Sequence, residues 1–214
     1  MEEQALKAKI DEAIWVAHSL FDRGKTSGST ANISFLHGRN IYISCTGSSF
    51  ATLSEKDFSV LENQNEKPVV VFGKEPSKEL PLHWLLYKKD LNVKAIIHTH
   101  SFYSVLWSCL KHQDPNDIVP QFTPYLRMKV GKVKLVAYGK PGSKELFQKF
   151  EKGLVIGGAY LLQNHGPVVG GRDVMNAFYK IEELEDSMKV AWFLHNEKEE
   201  NLSIIAEEGD SVLK

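Results

Sequence analysis

Val93-Lys94-Ala95-Ile96-Ile97-His98-Thr99-His100 is an apolar run closed by two histidines one residue apart. Its β-branched residues favour extended chain, so 93–98 reads as a strand that leaves a sheet at the histidines. Upstream, Pro76-Ser77 precedes a helical pattern over 79–89, with Leu80, His83, Trp84 and Tyr87 on one face. Downstream, a strand at 134–136, a helix at 143–150 and strands at 159–163 and 168–169 continue the alternation. Nearer the start, Leu6, Ile10, Ala13, Ala17 and Leu20 recur at helical spacing, and Gly24 ends a helix over 2–23. A polar loop, Thr26-Ser27-Gly28-Ser29-Thr30-Ala31-Asn32, leads into strands at 33–35 and 41–45 about a His37-Gly38-Arg39-Asn40 turn. Ser54 and Asp57 suggest a capped turn before 58–61, and the compact run 69–72 is a further strand. A long final helix carries its apolar stripe on Val174, Ala177, Phe178, Ile181, Leu184, Met188, Ala191 and Leu194. Its acidic side, Glu182, Glu183, Glu185 and Asp186, reads as a solvated face. With no repeat or linker, the pattern predicts one α/β domain over 1–214 with a central mixed or antiparallel sheet flanked by helices.

The chain has 214 residues, 43% hydrophobic and 25% charged, which excludes disorder and fibrous architectures. Lys and Arg number 26 against 27 Asp and Glu, a net charge of -1, so no overall field draws the protein to nucleic acid or to an anionic membrane. Cys45 and Cys109 are too few for a disulfide framework. The start, Met1-Glu2-Glu3-Gln4, is acidic where a secretory signal needs a basic one, and no apolar run approaches the ~20 residues that span a bilayer. The expectation is a cytoplasmic protein.

Side chains two apart on a strand share a face, so His98 and His100 can reach one ion. The competing reading of an isolated His-x-His is a pair of half-exposed polar residues at a strand end. A third imidazole, His165, lies in Gln163-Asn164-His165-Gly166-Pro167, where the chain bends. Glu79 stands at a helix start, where a carboxylate is favoured by the exposed N–H groups even without another role. Three imidazoles and one carboxylate match the set that holds a divalent transition ion with one replaceable position, zinc foremost and Mn2+ as an alternative. His83, four residues after Glu79, reads as a packed or hydrogen-bonded core imidazole that could support the ligands. Ser29 to Asn32, Thr46-Gly47 and Ser77 supply hydroxyls, an amide and backbone N–H groups suited to a phosphate, although such residues commonly only cap helices and make turns.

Ser29-Thr30-Ala31-Asn32-Ile33-Ser34, Thr46-Gly47, Pro76-Ser77-Lys78-Glu79, His98-Thr99-His100 and Asn164-His165-Gly166, in that order and spacing, resemble the class II aldolase/adducin family over nearly the whole chain. Phe122-Thr123-Pro124-Tyr125, Gly139-Lys140-Pro141-Gly142, the continuation Pro167-Val168-Val169 and Glu182-Glu183-Leu184-Glu185 look most like its 3-oxo-tetronate 4-phosphate decarboxylase branch. The resemblance implies a three-layer class II aldolase-like fold. It makes His98, His100 and His165 zinc ligands, Glu79 an acid/base that also ligates the metal, and Asn32, Thr46, Gly47 and Ser77 the grip on phosphate. Tyr125 would assist proton transfer. The activity implied is loss of carbon dioxide from a small phosphorylated sugar acid, 3-oxo-tetronate 4-phosphate, to give dihydroxyacetone phosphate through a metal-stabilised enediolate. Aldol cleavage of fuculose or ribulose 1-phosphate, 4-epimerisation of ribulose 5-phosphate and a non-catalytic adducin-like interaction module are the alternatives. A homotetramer with sites at subunit interfaces is also implied. The sequence departs from the family pattern at Ala31, where Gly is usual, and at Lys78, where the aldolase branch often has a second Ser; Lys78 either adds positive charge beside the phosphate or faces solvent.

Overall fold

The computed structural model describes residues 2–62, 64 and 67–205. The chain runs α1 (Glu2–Asp22), β1 (Asn32–His37), β2 (Asn40–Ser44), β3 (Phe58–Glu62), β4 (Val69–Phe72), α2 (Leu80–Lys89), β5 (Ala95–His98), α3 (Phe102–Ser108), a π-helical turn (Leu126–Val130), β6 (Val133–Val136), α4 (Lys144–Gly153), β7 (Ala159–Leu162), β8 (Gly166–Gly171) and α5 (Val174–Leu194). The strands form one eight-stranded sheet in the order β4-β3-β2-β1-β5-β8-β7-β6. Among the described residues only β6 and β7 pair in parallel, because α4 crosses between them, and the rest are antiparallel. The sheet is therefore mixed, one of the two forms expected from the sequence. No helix among the described residues is long and apolar enough to cross a membrane.

Alternation along the strands divides the core. Ile33, Phe35, Ala95 and Ile97 pack with residues of α1 and α5, while Ile41, Ile43, Ile96 and Leu162 pack with residues of α2 and α4. The result is three layers, helices on both faces of the sheet. All four residues of β5 are buried, which is why Ala95-Ile96-Ile97 reads as a continuous apolar run rather than an alternating one. Asn32 faces His98 across the β1–β5 pair, and His98 faces Val168 across β5–β8. The starts of β1 and β8 and the end of β5 thus meet at one end of the central strands.

Two expectations need correction. Strand β8 begins at Gly166, two residues before the predicted start, because Gly166 and Pro167 pair with β7 instead of forming only a turn. The acidic side of α5 is not uniformly solvated. Glu182 and Asp186 meet Arg23 and Lys25, but Glu185 is buried and accepts the backbone N–H groups of Tyr103 and Ser104 at 2.9 Å and the Ser104 hydroxyl at 2.6 Å. It thereby satisfies the amino end of α3, a short helix absent from the sequence reading.

Candidate active site

The loop before α2 is strapped to the end of β2 by the Cys45–Pro76 bridge and by bonds from Thr46 N to Glu75 O and from Ser77 N to Ser44 O. Glu79 follows as the residue preceding α2, but its side chain makes no cap bond. It is buried and turns instead to the histidines: Oε2 lies 3.1 Å from His98 Nε2 and Oε1 3.4 Å from His165 Nε2. The reading of Glu79 as a mere helix-terminal charge does not hold. His165 is delivered by a tight approach of two backbones. Asn164 takes a left-handed conformation (φ 55), and a Cβ on Gly166 would lie 2.2 Å from Thr99 O. Only glycine lets the start of β8 come so close to His98-Thr99-His100.

Nε2 of His98 faces Nε2 of His165 at 3.3 Å and Nε2 of His100 at 3.2 Å, and one ligand atom from each of the three rings lies within 4.8 Å of the others. Two imidazole–metal bonds of ~2.0–2.1 Å at a tetrahedral angle leave donor atoms ~3.3 Å apart, and the two spacings about His98 match that value. His98 Nδ1 donates to Pro167 O at 2.8 Å, which leaves Nε2 bare in the neutral ring and aimed at the cluster. Glu79 Oε1 is buried without a hydrogen-bond partner. An orphaned carboxylate oxygen beside converging imidazole nitrogens fits a cation.

Electrostatics agree. Burial opposes ionisation of Glu79, but the charge and hydrogen bond of His98, then His165 and Asn32, outweigh it and hold the carboxyl below the usual carboxylate range. Burial also disfavours charge on His98, yet the Glu79 carboxylate and the Pro167 carbonyl raise its pKa. Burial and the charge on His98 press His100 down to about 3 and His165 to about 4. The cluster is arranged around one positive charge, and a metal ion would supply it.

Glu79, His100 and His165 line a cavity of about 210 Å³. Asn32, Thr46, Gly47, Ser77 and Lys78 line the same cavity, with Ser29 and Thr30, so the metal and phosphate candidates are brought together. Lys78 is the one Lys or Arg among the described lining residues. Cys45 and the Pro141-Gly142 turn also reach the cavity; of these the sequence pointed only to Pro141-Gly142, as part of the stretch that carries the family resemblance. Ala31 has no positive φ and packs its Cβ into the core, so this loop does not require the glycine usual there. Tyr125 is elsewhere: half exposed, it does not line the cavity of its own chain. A larger hollow of about 360 Å³, lined by Lys9, Glu12 and Arg172, lies around the β1–β2 turn and carries none of these groups.

Residues 11–192 match the family described as Class II Aldolase and Adducin N-terminal domain. The chain belongs to this family. Its class II aldolase relatives include the 3-oxo-tetronate 4-phosphate decarboxylase of Haemophilus influenzae, 38% identical over 192 residues that cover 89% of this chain and 90% of the relative. The L-fuculose phosphate aldolase of Methanococcus maripaludis strain C7 is 33% identical over 86% of this chain and 97% of its own. Among solved structures, YgbL of Escherichia coli superposes with a TM-score of 0.86 at 32% identity, covering 97% of this chain and 96% of YgbL.

Proposed function

We propose that the protein is a metal-dependent lyase that converts 3-oxo-tetronate 4-phosphate to dihydroxyacetone phosphate and carbon dioxide. The observation that carries this reading is the convergence of His98, His100, His165 and Glu79 beside one cavity, whose wall Glu79, His100 and His165 share with Lys78 and the polar loops. The kinship with 3-oxo-tetronate 4-phosphate decarboxylases at 36–38% identity supports the choice of reaction.

His98, His100 and His165, with Glu79, would hold zinc, or manganese as the alternative. When bound, such an ion supplies a Lewis acid that takes up charge developing on a ketone oxygen. Lys78, Thr46, Gly47, Ser77 and Asn32 bind the phosphate, and this remote binding energy orients the carboxylate-bearing carbon. The bond from carbon 1 to carbon 2 breaks, its electron pair passes into the ketone at carbon 3 as an enediolate, and carbon 2 then takes a proton. Glu79, a carboxylate at rest, takes up a proton from solvent and delivers it to carbon 2, so one proton is consumed for each carbon dioxide released. We assign assistance to Tyr125, an exposed residue outside this cavity that a neighbouring copy would have to supply. That assignment accords with a homotetramer whose sites lie at subunit interfaces, acting in the cytoplasm.

Aldol cleavage is the second reading, favoured by the likeness to L-fuculose phosphate aldolases, since the same groups would stabilise the same enediolate. Products decide. The zinc-loaded protein given 3-oxo-tetronate 4-phosphate should release carbon dioxide and dihydroxyacetone phosphate in equal amounts; absence of carbon dioxide, with cleavage of fuculose 1-phosphate, would overturn the decarboxylase reading.

A further inference from the structure

Behind the metal cluster a file of buried polar groups enters the interior between β1 and α2. Four helical residues rise ~6 Å and two strand residues ~6.6 Å, so a ladder at i, i+4 on a helix can interleave with one at i, i+2 on a strand. Glu79, His83 and Tyr87 form the first ladder, Asn32 and Ser34 the second. Asn32 Nδ2 donates to Glu79 Oε2 at 3.1 Å, Asn32 Oδ1 lies 2.5 Å from His83 Nε2, and Ser34 Oγ lies 2.7 Å from both His83 Nδ1 and the Tyr87 hydroxyl. His83 and Ser34 are fully buried.

The carboxylate sets the direction of the whole file. It can only accept, so Asn32 must turn its NH2 toward Glu79 and its carbonyl oxygen toward His83. His83 must then carry its proton on Nε2, leaving Nδ1 to accept from the Ser34 hydroxyl, which in turn accepts from Tyr87. Burial and the charge on His98 hold His83 at about 3, so its ring is neutral, with one donor and one acceptor, as the file requires. An amide flipped about its last bond would set its oxygen against the carboxylate, and the Nε2–H of His83 is what opposes that flip.

We propose that His83 is a positioning residue, which through the amide of Asn32 fixes the Glu79 carboxylate against the three-histidine cluster. The inference rests on the metal reading above. In substrate-free protein, His83→Leu should keep the metal stoichiometry but weaken zinc binding, measured by competition with a chelator, by about 10- to 100-fold. It should lower kcat by a similar factor with little change in KM. His83→Gln, whose amide nitrogen can still donate to Asn32, should recover binding to within about threefold. In an Asn32→Ala background the leucine substitution should add nothing further, because both act through one contact. Wild-type zinc affinity in His83→Leu, no recovery by glutamine, or a full additional loss in the Asn32→Ala background would each overturn the proposal. Nitrogen NMR of the metal-free wild-type protein gives a reading that depends on neither metal nor the folding of a variant: a Nε2–H tautomer at His83 supports the file and a Nδ1–H tautomer overturns it. Wild-type protein that shows the Nε2–H tautomer yet binds no zinc would instead remove the metal reading.

Discussion

Gly166→Ala tests whether the close passage of two backbones sets the geometry of the histidine cluster. Gly166 has no positive φ, so alanine is opposed by space alone. Its Cβ would lie 2.2 Å from Thr99 O, 3.2 Å from Thr99 C and 3.3 Å from His100 Cα, all backbone atoms that no rotamer change can move aside. Reaching even 3.0 Å from that oxygen needs a shift of about 0.8 Å, the difference between 3.0 and 2.2 Å. His165 precedes the moving residue, and His98 and His100 flank the one it strikes. Ligand distances tolerate about ±0.2 Å, so a displacement several times larger takes His165 out of reach of an ion held by the other two. Overpacking costs about 1–3 kcal/mol, and for a chain of this length each kcal/mol moves Tm by about 2–4 °C. The variant should therefore melt several degrees lower while folded at room temperature, and bind zinc at least about tenfold more weakly in a chelator competition. A folded Gly166→Ala protein with wild-type zinc affinity would refute the claim that this contact places His165.

Three further outcomes are expected. Glu79→Gln, saturated with zinc to offset a weaker affinity on the three histidines alone, should lose about 10²- to 10⁴-fold in kcat, measured at steady state; unchanged kcat would remove Glu79 from proton transfer. Glu185→Gln cannot accept all three donors at the start of α3 and should cost about 1–3 kcal/mol in chemical denaturation, whereas Glu182→Gln, on an ion pair partly open to solvent, should cost under about 1 kcal/mol; equal effects would contradict the buried cap. Metal-free protein should lose stability as pH falls. His83, His100 and His165 have depressed folded values, so their contribution is complete above the unfolded value of 6.5 and is lost as the pH falls toward 3 to 4, because the unfolded chain takes up protons that the fold refuses. His98, raised, has the opposite sign but is a single group. Scanning fluorimetry should show Tm falling from pH 7 to pH 5, and a flat profile would contradict neutral buried imidazoles.

The course of the chain was legible where one physical signal dominated. Val69–Phe72 is a strand at its predicted limits because four consecutive β-branched or aromatic residues admit little else. The His98–His100 pair was readable because strand periodicity fixes their common side, and Ser54 with Asp57 because their spacing lets the Asp57 carboxylate accept both the backbone N–H and the hydroxyl of Ser54. Strand β8 was truncated because Gly166-Pro167 carries turn chemistry, and only the pairing with β7 overrides it. Glu185 looked solvated because its partners, Tyr103 and Ser104, are 81 and more residues away and two of their three donors are backbone N–H groups, which no side-chain pattern announces. His83 was readable as a core imidazole, but its link to Glu79 through Asn32 depends on the adjacency of β1 and α2, a tertiary fact. The exposure of Tyr125 was equally beyond reach of local pattern.

Anomalous diffraction from crystals grown with zinc, recorded on either side of the zinc edge, goes most directly to the central claim. The expected result is one strong peak per chain within bonding distance of Nε2 of His98, His100 and His165 and facing the cavity that Lys78 lines. Three imidazoles in place with no peak between them at full zinc loading, or a peak held by other residues, would contradict it.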